Sequence, residues 1–276
     1  MLKNVTNGLR YGVLAVLLVV IYLSGCFSYG VPPPPPPEPP QPSGTLLKSQ
    51  FRIGISPDYM PLAYKDPRFG IVGVEVDFAN QLGKELGKNI VFVETPFAEL
   101  IDALVAEKVD IIMSGMSITR ERAERVNFSD PYVTIGQMAL ARTKDRSKFR
   151  DVQSFSSVTV KVGFVRTTTG EMAAKAFFGS ASLVPQSTVD DGVAALRKGE
   201  IDVFLHDAPT VWRIAGNPNE KELTGLYWLL TKEPLAWAVR KSDEPLLFAL
   251  NRQVQQWQAS GFAKQTLSRW IPIRIW

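Results

Sequence analysis

The 276-residue chain has a single cysteine, Cys26, and a single histidine, His206. One cysteine excludes an internal disulfide and any cysteine-built metal site, and one histidine excludes a histidine-rich one. No resident metal and no other cofactor is therefore expected. There is no G-x-x-x-x-G-K-[ST] phosphate loop, no G-x-G-x-x-G dinucleotide loop and no G-x-S-x-G elbow to present a nucleophilic serine. Charge of one sign is missing too. The 31 Lys and Arg against 27 Asp and Glu leave a net charge of +4, scattered so that no basic run suits nucleic acid. The length admits one large domain or two small ones, each able to bury a core.

What is present is a segment that occurs twice. Ala103-Leu104-Val105-Ala106-Glu107-Lys108-Val109-Asp110-Ile111-Ile112-Met113-Ser114 reads like the stretch from Ala195 to His206, at a constant offset of 92 residues. Each copy reads as a helix end, a tight polar turn, an aspartate and a short buried strand. Each strand runs out into polar residues, Ser114 to Ser117 in one copy and His206-Asp207 in the other. In an open α/β sheet, ligands gather at the carboxyl ends of strands. Two such ends suggest two lobes that share one ligand; reuse of a common β/α grammar is the alternative.

At the start, Lys3 and Arg10 precede an apolar run over 11–23 that ends at Leu23-Ser24-Gly25-Cys26. The run is too short for a membrane-spanning helix and has the layout of a secretory signal. Its end resembles the bacterial lipobox, whose cysteine is lipidated and becomes the mature N-terminus; an ordinary signal anchor with an incidental cysteine is the other reading. Residues 1–25 are thus expected to be a lipoprotein signal peptide and Cys26 the lipidation site of an exported protein. Phe27 leaves inner or outer membrane open. Residues 26–47 read as a Pro-rich linker, with 31–42 almost all proline. At roughly 3.1 Å per residue in the polyproline II form it would span about 35–40 Å. A docking site for a proline-recognising domain is the alternative.

Beyond it, strand patterns fall at 51–55, 90–94, 110–113 and 137–141, and helical patterns at 74–86, closed by Gly87, and 97–107. Thr119 can cap a short helix through 125. The pattern then restarts, with strands at 159–164 and 201–205 and helices at 170–178, 189–198 and 208–215. A strand at 235–239 returns to the first half, and helices at 243–258 and 261–270 close the chain. Strands alternating with helices imply mainly parallel sheets. The fold class is α/β, with two Rossmann-like lobes joined by a two-segment hinge near Arg142 and Lys232. Lobe 1 is expected over 48–141 and 233–276, and lobe 2 over 142–232.

The first site candidate runs from Ser114 through Ser117 to Arg122, a strand end, hydroxyls and a helix start within one turn of each other. A helix start favours anions, and the planar fork of Arg122 suits a carboxylate; pairing of Arg122 with Asp130 is the alternative. Thr167-Thr168-Thr169 reads as an anion cradle or an N-cap. Asp207 reads as a partner for a cationic ligand group or as the cap of the helix near Pro209. Tyr59 and Phe97 read as apolar walls for a ligand or as ordinary core. His206 beside Asp207 admits acid–base work.

These residues carry a resemblance. With Arg52-Ile53-Gly54, Gly73-Val74-Glu75-Val76-Asp77, Val109-Asp110-Ile111-Ile112, Ser117-Ile118-Thr119 and Arg122, Phe128-Ser129-Asp130-Pro131-Tyr132, Val162-Gly163, and Ile201-Asp202 with Asp207, the chain over 49–272 resembles the family 3 extracellular solute-binding proteins, the polar amino-acid receptors of bacterial ABC importers. The resemblance implies a type II-like periplasmic binding-protein fold and a non-enzymatic, monomeric, lipid-anchored receptor on the periplasmic side, delivering a small amino acid-like ligand to an ABC permease. It implies that Arg122 clamps the ligand carboxylate, that Ser114, Ser117 and Thr169 add hydrogen bonds, and that Asp207 takes the ammonium. Tyr59 would stack on the ligand, with Phe97 in a side-chain pocket and His206 lining the site. Ser56 stands where members that bind basic or amide ligands carry an acid, and Thr167 where glycine is usual. A few proteins of this fold are cyclohexadienyl dehydratases acting on prephenate or arogenate, and others are sensory modules; both remain alternatives.

Overall fold

Phe51, Ile53 and Ile55 alternate along the strand Gln50–Ile55 and are completely buried, each worth about 1.5–3 kcal/mol relative to an exposed position. The computed structural model describes residues 44–151, 154 and 159–271. The signal segment, Cys26 and the proline run lie outside them.

Two five-stranded sheets with matching topology make up the described chain. In the first, the order is Asn89–Glu94, Gln50–Ile55, Ile111–Ile112, Ala238–Arg240 and Val126–Phe128. In the second, it is Ser182–Gln186, Lys161–Val165, Val203–Asp207, Gln137–Arg142 and Leu223–Leu226. The first three strands of each are parallel, and the fourth runs antiparallel to both its neighbours. That fourth strand is the visitor in each case: the first sheet takes a late segment, the second an early one. The chain therefore crosses between lobes twice, and the two crossings pair with each other as the antiparallel ribbon Val133–Ile135 with Glu233–Leu235. A two-lobe α/β fold with a two-segment hinge results.

Each sheet buries an apolar cluster on both faces. On the first, Phe78, Tyr132, Trp237 and Trp257 pack ring to ring under the helices Val74–Leu86, Glu244–Ser260 and Phe262–Trp270, with Phe78 and Trp257 stacked at 5.4 Å. Leu100, Leu104 and Val109 fill the other face. The second sheet carries Phe204 and Leu196 on one side and Phe164 and Phe178 on the other.

The repeated segment is a true structural repeat. Asp110 accepts from the backbone N–H of Arg52 at 2.9 Å, and Asp202 from that of Lys161 at 3.0 Å. Arg240 donates to the carbonyls of Leu104 and Val109; Arg142 donates to those of Leu196 and Ile201, each 92 residues further on. The helix ends turn at Glu107 (φ 57°) and Gly199 (φ 77°), the same position in the two copies. Each visiting strand thus supplies an arginine that satisfies orphan carbonyls at a helix end and pairs with the repeated aspartate.

Several expectations change. The spacer expected through residue 47 ends earlier: Gly44–Leu47 is a 3₁₀ turn whose Thr45 is buried, donating to Asp243 and accepting from Arg240. The strand at 137–141, placed in lobe 1 by its position in the chain, hydrogen-bonds in the second sheet. The helix expected over 97–107 is a 3₁₀ turn at Phe97–Glu99 followed by Leu100–Val105. Ser182–Gln186 has no alternating pattern because Pro185 interrupts it; as an edge strand it tolerates the missing donor. The three-stranded ribbon of Asp58–Tyr59, Ala63–Asp66 and Gly70–Val72 is likewise absent from the sequence reading. No helix among the described residues is long and apolar enough to cross a membrane.

Candidate functional site

The carboxyl ends of the central strands of both sheets meet over one hollow of about 50 Å³, room for roughly three to five water-sized groups. Loop chemistry fixes its lobe 1 wall. Ser114 accepts from the backbone N–H of Ser56 at 2.9 Å and ties two strand ends together. The next residue, Gly115, has φ +65°, and a Cβ there would stand 2.7 Å from the Tyr59 ring and from Leu62. Its N–H donates to Glu75 at 2.6 Å. Glu75, with no exposed surface, also accepts from Tyr132 at 2.7 Å and Trp237 Nε1 at 3.0 Å, while burial raises its pKa. One buried carboxylate therefore anchors the cleft loop to the hinge and the aromatic core.

Thr119 caps the short helix Arg120–Ala123 by accepting from the Arg122 N–H. The Arg122 guanidinium donates to the Ser117 carbonyl at 2.9 Å and, across the cleft, to the Thr167 carbonyl at 3.2 Å. It lies 5.2 Å from the Phe97 ring centroid, a cation–π arrangement. Burial lowers its pKa, against the pull of Asp207, Glu233 and Glu121.

From lobe 2, Thr168 caps the helix Thr169–Phe177. The Asp207 side chain makes no cap bond. Its two oxygens accept from Tyr59, across the cleft, and from Gln137, its neighbour on the adjacent strand. Burial, seconded by the nearby charge of Glu233, pushes the Asp207 carboxyl up to about 7, while Tyr59, Gln137 and Arg122 oppose the rise. Tyr59 is raised well above its ordinary value by burial and by Asp207. Burial and Arg213 bring His206 down to about 4, so its ring is neutral at physiological pH. The Tyr59 and His206 rings meet edge to face at 5.4 Å.

Hydrogen bonds through the hinge link the two walls. Ser117 donates to Glu233 at 2.8 Å, Thr231 donates to the other Glu233 oxygen, and the Gln137 N–H donates to Thr231.

Of the residues expected from sequence, Tyr59, Phe97, Ser117, Arg122, Thr169, His206 and Asp207 line this one hollow. Ser114 does not; it is 1% exposed and occupied with Ser56. The Arg122–Asp130 pairing does not form, since Asp130 accepts from Gln255. The cap in the threonine run is Thr168 and not Thr169. Tyr59 serves both the apolar core and the hollow. Sequence reasoning missed Asp58, Gln137, Val165 and Val189 in the lining; Gly115 and Thr168, also in it, fall inside the two candidate stretches without being singled out as ligand contacts. The glycine had a usable signal in its position after a strand end; Gln137 had none, because its strand was assigned to the other lobe. Among the described residues, no group of three or more His, Cys, Asp and Glu is placed to hold a metal ion. A half-buried guanidinium facing a buried carboxyl, with neutral donors between, is equipped to bind a small zwitterion.

Comparison with known proteins agrees in scale with this fold. Residues 51–273 match the family described as bacterial extracellular solute-binding proteins, family 3. The ABC transporter glutamine-binding protein GlnH of Bacillus subtilis is 27% identical over 261 residues, 92% of this chain and 94% of that protein. The cyclohexadienyl dehydratase of Pseudomonas aeruginosa is 26% identical over 230 residues, 81% of this chain and 83% of that one. A putative binding component of an ABC transporter from Wolinella succinogenes, solved in complex with lysine, superposes with a TM-score of 0.79 at 32% identity, covering 83% of this chain and 99% of that one.

Proposed function

Because the chain belongs to the bacterial extracellular solute-binding proteins, family 3, we propose that it is the receptor of an ABC importer and closes its two lobes around a small amino acid. The observation that carries this reading is that Arg122 from lobe 1 and Asp207 from lobe 2 line the same buried hollow. Arg122 takes the ligand carboxylate with Ser117 beside it; Asp207 takes the ammonium with Thr169. Tyr59 and Phe97 wall the side chain, and His206 closes the floor. Ser114 holds the loop and does not touch ligand.

Each lobe contributes one charged grip, so the binding energy is complete only in the closed form. That difference in affinity drives closure. The hinge is the ribbon of Val133–Ile135 with Glu233–Leu235, between lobe 1 and a lobe 2 that begins at the strand Gln137–Arg142. Lipidation at Cys26 would hold the receptor at the membrane, with the proline run as its spacer, and the closed monomer would be read by a permease. The support for these last steps is the N-terminal sequence and the resemblance alone.

Calorimetry against the twenty L-amino acids tests the reading. A bound amino acid is expected, and Arg122→Ala should cost at least about 2 kcal/mol, roughly 30-fold in Kd, by leaving a buried carboxylate unpaired. Unchanged binding in that variant refutes the clamp. A second reading, a dehydratase, is favoured by one feature: a cleft carboxyl that keeps its proton to about pH 7 is poised as a general acid. Conversion of prephenate to phenylpyruvate by the purified protein would decide for it.

A further inference from the structure

Among the described residues, three buried side-chain polar atoms lack a hydrogen-bond partner: Gln137 Oε1, His206 Nδ1 and Thr266 Oγ1. Gln137 and His206 line the hollow between the lobes. An unsatisfied buried polar atom is destabilising, so finding two of three here marks the hollow as a place built to be hydrogen-bonded by something else.

Gln137 is the more informative of the pair. It has no exposed surface. Its backbone is fixed on both sides, the N–H donating to Thr231 at 2.8 Å and the carbonyl accepting from Leu230 at 2.9 Å. Its side-chain amide donates to Thr169 Oγ1 at 3.1 Å and to Asp207. With the amide nitrogen turned to that hydroxyl and that carboxyl oxygen, the carbonyl oxygen is left without a partner. Glycine at position 170 makes room for that oxygen, since a Cβ there would stand 3.2 Å from it. Asp207 already accepts from Tyr59 and Gln137 on separate oxygens. The Gln137 carbonyl oxygen is thus an acceptor beside Asp207 with no competing donor.

We propose that Gln137 belongs to the ammonium subsite: it aims Asp207 and Thr169 through its amide nitrogen and offers its own carbonyl oxygen to the ligand's ammonium. The inference rests on the receptor reading and deepens it. It makes discrimination against 2-hydroxy acids a property of this glutamine, the first residue of its lobe 2 strand. An ammonium offers three N–H donors to the acceptors gathered here, whereas a hydroxyl offers one.

Two variants test it, Gln137→Met, which keeps the volume and removes both polar ends, and Gln137→Asn, one methylene too short to reach both partners. Calorimetry is run with the twenty L-amino acids and, for each that binds, its 2-hydroxy acid. The expected result is an affinity for the amino acid lower by tenfold or more, with the affinity for the 2-hydroxy acid changed less than threefold. Equal losses for both ligands would overturn the ammonium assignment. A second arm needs no ligand: the carboxyl carbon of Asp207, assigned with Asp207→Asn, is titrated by NMR against its charged and titratable neighbours Glu233, Arg122, Tyr59 and His206. Loss of one donor bond is expected to move its midpoint upward by about half a pH unit or more in both variants. An unmoved midpoint would overturn the positioning role. If the unaltered protein binds no amino acid, the receptor reading and the ammonium assignment fall together, and the titration still decides whether Gln137 positions Asp207.

Discussion

Replacing Asp207 by asparagine removes one buried ionisation and should change how stability depends on pH. The free aspartate value is 3.8 and the folded one about 7. Between them the native protein holds a proton that the unfolded chain has released, so in the wild type this group lowers stability as pH rises, by about 1.4 kcal/mol per pH unit. Across the window the loss reaches about 4 kcal/mol as an upper bound. His206 has the opposite sign. Its ordinary value of 6.5 falls to about 4, so below pH 6.5 the unfolded chain takes up the proton first and stability falls as pH falls. From about pH 4 to 6.5 the two slopes offset each other, and the contribution of the pair to wild-type stability is nearly flat. With asparagine at 207 only the histidine slope remains, and stability should climb with pH over that range. The asparagine amide also meets the Gln137 amide, an offset that does not depend on pH; the slope is therefore the quantity to read. Urea unfolding of both proteins at half-unit steps from pH 4.5 to 8 measures it. Parallel stability curves would refute the claim that Asp207 keeps its proton to neutrality.

Two further outcomes follow from backbone geometry. Glu107 sits at φ 57° where its repeat-mate is Gly199; Glu107→Gly should stabilise by about 0.5–1 kcal/mol, visible as a higher urea midpoint, because the left-handed conformation costs glycine little. Gly115→Ala should push the Tyr59 ring away, since the new Cβ would lie 2.7 Å from it at φ +65°; the expected reading is loss of ligand affinity by tenfold or more in calorimetry while the far-UV circular dichroism stays unchanged.

Much of the fold was legible because it was written as local pattern. The helices at Val189–Lys198 and Ala208–Ala215 fall where their spacing places them, and the structure adds a Thr188 cap and a Gly199 terminus to the first. The repeat at an offset of 92 residues announced equivalent strand ends, and hydrogen bonds from Arg240 and Arg142 to matching carbonyls bear it out in detail. The short ribbons were not legible, since two- and three-residue strands such as Asp58–Tyr59 are too brief for any periodicity to register.

For the site, sequence supplied the chemical types and most of the positions: a guanidinium one turn into a helix, an acid at a strand end, hydroxyls at helix starts. It could not tell which hydroxyl is a cap and which faces a ligand, because Ser114 and Ser117 differ only in what lies opposite them. Ser114 meets a backbone N–H across its own sheet, and Ser117 meets Glu233 from the far end of the chain.

The sequence by itself determined the alternation of strands and helices, the duplicated unit and two charged site candidates, Arg122 and Asp207, all of which depend on neighbours within a few turns or strands. Tertiary structure alone decided that residues 137–142 join the second sheet. It also decided that Gln137 stands beside Asp207, and that Glu75 and Glu233 bind the cleft loops to the hinge. Those arrangements pair residues 40 to 162 positions apart, and at such separations the partner is chosen by which strand packs beside which, a property of the assembled sheets that no local pattern carries.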